Sequence, residues 1–258
     1  MAIITFMSDF GMSDHYVSAV KAKILSVNPG LKIVDICHEI ELHNIAHAAY
    51  VLKSVYEDFP KGTIHLISVN DHGERNQRFL AMKIDDHTFV GPDNGIFSLV
   101  CEKDPAMIAE LSRLDSLSLA FPAKNILAKA AAMLASGSGM NDVGTYTKEY
   151  IRKIDRKLRA TKKMISGNVI KVDHYGNLIT NIEAEVFGIL HKGRHFVLQF
   201  GRETTEKINA CYDEVDDGDC FALFNSMGLL EIGINKGNAS KLIGLRYDSP
   251  VTIFFDET

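Results

Sequence analysis

Among its 258 residues the sequence has no tryptophan, six prolines and four cysteines. Those cysteines, Cys37, Cys101, Cys211 and Cys220, lie far apart without CxxC spacing. A disulfide framework and the usual structural zinc sites are thereby excluded, and the residues read as buried, reduced thiols of a cytoplasmic protein. No apolar run approaches the roughly 20 residues of a membrane span. The opening MAIITFMSDFG lacks the basic start of a signal peptide. Positive charge is also short, since the formal net charge is -5, which argues against a nucleic-acid-binding face over the whole protein. There is no GxGxxG after the first strand, no Walker loop, no GxSxG and no HExxH, so the commonest cofactor and hydrolase signatures are missing. Of the ten histidines, His43 and His47 have the i, i+4 spacing of a helical metal pair. No third ligand follows at a matching distance, so a structural role and no metal site are expected.

What is present alternates. Ile3–Met7 reads as a buried strand, followed by a helix from about Asp14 to Leu25 capped by Ser13 or Asp14. Lys32–Ile36 is a second strand. Asn44 caps a helix running to Phe59, where Pro60 ends it. Thr63–Val69, Phe79–Ile84 and Thr88–Val90 are further strands, and Lys124–Ala135 is an Ala-rich helix. Strands separated by helices predict an α/β domain over residues 1–150, three-layered, with a mainly parallel sheet. Thr147–Met164 carries eight Lys or Arg against two acids, and its part from 151 to 164 reads as an exposed basic connector. From 165 to 258 short strands with Gly and Asn punctuation, at Ser166–Val172, Asn177–Ile182, Phe196–Phe200, Cys220–Asn225, Leu229–Ile234 and Val251–Phe255, predict a small β-barrel or sandwich with little helix.

Polar residues gather where strands end. Ser8-Asp9-Phe10-Gly11, Asn70-Asp71-His72-Gly73 and Gly91-Pro92-Asp93-Asn94-Gly95 each follow a strand, and in an open parallel sheet such loops converge on one crevice. Asp9 there suits a vicinal diol, because one carboxylate accepts from two hydroxyls. Capping a turn or a helix is the competing role for Asp9 and Asp93. In the second half, Asp173-His174-Tyr175-Gly176-Asn177 puts a carboxylate, an aromatic ring and an amide within five residues. That set fits an amino group and a stacked base, and equally a hairpin turn.

Taken in order, these motifs resemble a known family. Ser8–Gly11 with Asp14–Val17 and Lys21, Ile33–Ile36 with His38 and Ile40, Phe59–His65, Pro92–Gly95, Asp173–Asn177 with Thr180–Ile182, and Asn225–Glu231 are similar to the S-adenosylmethionine hydroxide adenosyltransferases, relatives of the fluorinases and chlorinases. The resemblance implies an α/β N-terminal domain, a β-barrel C-terminal domain, and a homotrimer whose sites lie where one subunit's N-terminal domain meets a neighbour's C-terminal domain. It implies an adenosyl ligand, with Asp9 on the ribose diol, Asp173 and Ser226 on the methionine end, Asn177 and the Asn238-Ala239 segment on adenine, and Tyr175 packed on the base. The implied chemistry is attack of water or hydroxide at ribose C5′, which releases adenosine and methionine without a cofactor.

The catalytic end departs from the family pattern. The family's Asp after strand 3 aligns with Asn70 and its Arg with Gln77, while a one-residue slip supplies Asp71 and Arg78 at the same spacing of seven. The family histidine falls on Pro122, which has no titratable group, and His72 is its one conceivable spatial substitute. Asn70, Asp71 and Arg78 are therefore the candidate catalytic residues. Two functions stand: a diverged S-adenosylmethionine hydrolase, and a non-catalytic protein that binds S-adenosylmethionine or adenosine.

Overall fold

Strand β1 (Ile3–Ser8) is apolar on successive residues because both its faces are covered. Phe6 packs into one core and Met7 into another on the opposite side of the sheet. The computed structural model describes residues 3–71, 77–101, 103–112, 120–154 and 157–256, and the chain divides into two units, Met1–Ile154 and Asp155–Thr258. His72, Gly73 and Glu74 lie outside the described residues.

In the first unit β1 is followed by α1 (Tyr16–Val27), β2 (Lys32–Cys37), α2 (Ile45–Lys53), β3 (Ile64–Ser68), β4 (Phe79–Ile84), β5 (His87–Pro92), α3 (Ile96–Val100), β6 (Met107–Leu111), α4 (Ala128–Ala135), α5 (Met140–Val143) and β7 (Gly144–Tyr146). The sheet order is β2-β1-β3-β5-β4-β6-β7. Pairing is parallel from β2 to β5 and antiparallel from β5 to β7. Helices α1 and α4 cover one face, α2 and α3 the other, which makes the three layers that the alternation predicts.

The helix termini differ from expectation in instructive ways. Ser13 and Asp14 are exposed and do not cap α1, which starts after His15 with no side-chain cap. Asn44 does cap α2, accepting from His47 N at 2.9 Å. That helix stops at Lys53 rather than Phe59, where the Ser54 hydroxyl bonds back to the Tyr50 carbonyl and a short 3-10 turn, Tyr56–Asp58, follows. The Ala-rich helix opens with one π turn, Ala123–Leu127, set directly behind the buried Pro122. Cys101 is buried, Cys37 and Cys220 are half-buried and Cys211 is exposed, all as free thiols. For Cys211 this corrects the expectation of burial. His43 has positive φ and precedes α2, so His43 and His47 do not share a helical face.

A buried imidazole pair sits beneath this sheet. His65 bonds Thr5 Oγ1 at 2.8 Å through Nδ1 and His87 Nδ1 at 3.1 Å through Nε2. Burial, followed by the neighbouring His87, pushes the His65 pKa down to about 3 from 6.5. Below pH 6.5 the unfolded imidazole takes up a proton that the folded one refuses, so stability falls as the pH falls. Between pH 6 and pH 5 His65 is expected to remove about 1.2 kcal/mol of stability. Urea unfolding at the two pH values measures this. His65→Phe should flatten the difference by that amount, and an unchanged slope would show that folded His65 titrates normally.

The second unit contains β8 (Arg159–Ala160), β9 (Met164–Val172), β10 (Leu178–Glu183), α6 (Ala184–His191), β11 (Phe196–Phe200), β12 (Glu203–Thr205), β13 (Cys220–Phe224), β14 (Leu229–Ile234), α7 (Ala239–Ile243) and β15 (Pro250–Phe255). Its antiparallel sheet, in the order β12-β11-β15-β9-β10-β14-β13 with β8 on β9, is nearly closed and barrel-like. Helix α6 adds to the expected strands. Its sequence, AEVFGILH, is a weak helix former, but it buries Phe187 against Phe196, Phe224 and Phe255. The end of the first unit runs into the basic stretch, where Ile151 N donates to Asp93 Oδ1 at 2.7 Å and Lys153 N to Ser98 Oγ at 2.8 Å.

Candidate active site

The carboxyl ends of three adjacent strands, β1, β3 and β5, carry the polar loops of the first unit. Asp9 follows β1 and is 4% exposed. Its Oδ2 accepts from His43 N at 3.0 Å and from Asn70 N at 3.1 Å. Both donors have left-handed backbone, with φ 62° and 51°, an uncommon conformation outside glycine. Two strained residues, 34 and 61 positions away, thus aim at one carboxylate oxygen. The other oxygen, Oδ1, is buried and accepts no hydrogen bond from the described residues. An unsatisfied buried carboxylate oxygen is costly, and a ligand hydroxyl would satisfy it.

Asn70 is fixed from behind. Its carbonyl accepts from Gln77 Nε2 at 3.1 Å and Asn94 Nδ2 at 3.3 Å. The aligned pair Asn70 and Gln77 is therefore joined in space. Asp71, 2% exposed, accepts from Ser68 Oγ at 2.5 Å. Arg78 turns to another partner: Nε and Nη2 donate to Asp93 Oδ2 at 3.1 and 2.5 Å, and Nη2 also to the Glu149 carbonyl at 2.9 Å.

Beneath Asp9 the Ser8 hydroxyl lies 2.7 Å from His38 Nδ1. His38 Nε2 stands 3.1 Å from Asp35 Oδ1 without the alignment of a hydrogen bond, and burial holds the ring below the usual imidazole range. The His38 carbonyl accepts from Gly11 N at 2.8 Å, so this residue braces both sides of the Ser8–Gly11 turn. Phe10, Tyr16 and Phe121 pack with ring centroids 5.4–5.9 Å apart. They give this loop an apolar wall next to Pro122, which reading for charged residues overlooks.

The second unit holds a cavity of about 740 Å³. Asp173, Tyr175, Asn177 and Asn238 line it, whereas Ser226 is exposed in the turn after β13 and Ala239 is buried at the start of α7. Tyr212, Phe221, Glu231 and Lys236 also line it. Sequence reasoning missed Tyr212, Phe221 and Lys236 because they belong to no polar motif, while Glu231 closes the Asn225–Glu231 run. Asn238 caps α7 by accepting from Lys241 N at 2.9 Å, and its amide lies flat on Gly176. A Cβ at Gly176, whose φ is 90°, would come within 2.2 Å of it. Among the described residues no cluster of His, Cys, Asp and Glu could hold a metal ion, and no helix is long and apolar enough to cross a membrane.

Residues 4–144 match the S-adenosylmethionine hydroxide adenosyltransferase N-terminal domain, and residues 167–252 match that family's C-terminal domain. The chain belongs to this family. A protein of Thermus thermophilus named (R)-S-adenosyl-L-methionine hydrolase is 30% identical over 98% of this chain and 100% of its own length. One of the same name from Methanocaldococcus jannaschii is 32% identical over 98% and 96%. A solved structure of an uncharacterized conserved protein from Thermotoga maritima superposes with a TM-score of 0.89, at 31% identity over 98% of this chain and all of that one. Each matched segment falls within one of the two units, and the basic stretch falls between the matched segments.

Proposed function

We propose that this protein hydrolyses S-adenosylmethionine to adenosine and methionine. The observation that carries the reading is the Asp9 carboxylate, one oxygen held by two backbone N–H groups and the other buried without a donor among the described residues. A ribose diol supplies the missing donors. Water attacks C5′ as the C5′–S bond breaks, and the sulfonium leaves as the neutral thioether of methionine while the water's proton is lost. Such a leaving group calls for no metal or redox cofactor, so alignment and exclusion of stray water are the protein's task. Asn70, bonded to Asp9, fixes the ribose side, and Asp71 accepts from the attacking water. Arg78 acts at a distance by holding Asp93. The wall of Phe10, Tyr16 and Phe121 keeps bulk water out.

The cavity of the second unit takes the adenine through Asn177, Tyr175 and Asn238, which Ala239 backs at the start of α7, and the methionine end through Asp173, which Ser226 meets from the exposed turn after β13. Among the described residues the diol acceptor lies in the first unit and the base pocket in the second, which fits a homotrimer whose sites each combine units from neighbouring copies. The free thiols suit a cytoplasmic protein.

Incubation with S-adenosylmethionine, followed by chromatography, tests this. Adenosine and methionine are expected above the enzyme-free control, from a species that light scattering sizes at three chains. Asp71→Asn should cut turnover at least tenfold, about 1.4 kcal/mol of barrier, with affinity nearly intact. Saturable binding with no product would instead support a sensing role, which the loss of the family's histidine at Pro122 favours.

A further inference from the structure

Asn177 is held so that only its carbonyl remains for a ligand. Its Nδ2 bears two hydrogens, and two carboxylates face them, Glu231 Oε1 at 3.0 Å and Asp173 Oδ2 at 3.3 Å. Its backbone N–H is spent on Asp173 Oδ1 at 2.8 Å. Among the described residues no donor reaches Oδ1, which lies over Gly233, where a Cβ would come within 2.5 Å of it.

Glu231 enforces this arrangement from 54 residues away. It is 4% exposed and also accepts from the Tyr212 hydroxyl at 3.2 Å and from Asn225 Nδ2 at 3.3 Å. Asn225 cannot turn round, because its Oδ1 already accepts from Met227 N at 3.0 Å and Leu229 N at 3.2 Å. Three donors thus converge on one buried carboxylate. Flipping the Asn177 amide would set its carbonyl against two carboxylates and strand both N–H groups.

We propose that Glu231 is a specificity-determining positioning residue, which locks the Asn177 amide so that the cavity accepts a 6-aminopurine and rejects a 6-oxopurine. The exocyclic N–H of the first donates to Asn177 Oδ1. The oxygen of the second would face it, acceptor against acceptor, and sites built around a buried hydrogen bond discriminate strongly against a ligand that cannot form it. Glu231 acts through Asn177 and takes no part in the chemistry. The inference rests on the adenosyl reading and sharpens it.

Titration calorimetry with adenosine, inosine and purine riboside, which lacks any 6-substituent, tests it. Wild-type protein is expected to bind adenosine at least tenfold more tightly than purine riboside, and at least thirtyfold more tightly than inosine. In Glu231→Gln, an amide that donates on one side meets three donors and releases Asn177, so the adenosine-to-inosine ratio should fall at least fivefold. A role in folding alone would weaken both nucleosides alike. An unchanged ratio in the variant, or equal binding of adenosine and purine riboside by the wild type, overturns the proposal while leaving the adenosyl reading standing. The wild-type comparison decides even if the variant does not fold. Failure of the wild type to bind any of the three sinks the adenosyl reading, and this inference with it.

Discussion

Replacing Arg78 by methionine is expected to destabilise the N-terminal unit by about 3 kcal/mol. Its guanidinium makes two bonds to Asp93 Oδ2 and reaches Glu110 at 3.5 Å. The two partners differ in exposure, with side chains 28% and 2% accessible. Methionine keeps the aliphatic stem of the side chain and removes the guanidinium, so the loss is chiefly one of charge and hydrogen bonds. Asp93 would retain the Ile151 N–H on Oδ1 but lose both side-chain donors on Oδ2, leaving a buried carboxylate uncompensated. Water reaching the exposed side of Arg78 keeps the effect at the low end for a broken buried pair. Urea unfolding measures it, and the double variant Arg78→Met with Asp93→Asn should recover much of the loss, because no buried charge remains. A loss under 0.5 kcal/mol, the usual scale of a surface change, would show the pair to be solvent-screened. The guanidinium would then be free to meet the ligand directly.

Asp9→Ala is expected to weaken adenosyl binding by roughly 1.5–3 kcal/mol, the scale of a charged hydrogen-bonding group lost from a buried site, or about 10- to 150-fold. Two effects combine. The diol loses its acceptor, and the N–H groups of His43 and Asn70 lose theirs, which relaxes two backbones now held in left-handed conformation. Asp9→Asn separates them, since it keeps an oxygen for the backbone donors while offering the diol an N–H. It should lose affinity yet unfold close to the wild type. Calorimetry showing unchanged affinity in folded Asp9→Ala would take Asp9 out of the site.

Local signals were legible from the residues alone. Phe79–Ile84, Phe196–Phe200 and Leu229–Ile234 run between the ends read from the sequence, because each apolar stretch is bounded by polar or turn residues. Asn44 caps α2 as read, since a cap bonds an N–H only three residues on. The ordered motifs were enough to indicate the family, because each stands at its own strand end and their order survives divergence at Pro122.

Tertiary structure decided what depends on residues far apart in the chain. Helix α6 forms because Phe187 finds three aromatic rings, not because its residues favour helix. The family's own positions, Asn70 and Gln77, meet in space, while the slipped pair goes separate ways, Asp71 to Ser68 and Arg78 to Asp93. Spacing alone could not show this, since a shift of one residue in extended chain reverses side-chain direction. Likewise, Asp9 is a bare carboxylate until His43 and Asn70 bond one oxygen and leave the other. Asn177 is an amide of either orientation until Glu231 and Asp173 choose one. Residue type supplies the donors and acceptors, but which of them remain free for a ligand depends on contacts between distant segments that only the fold brings together.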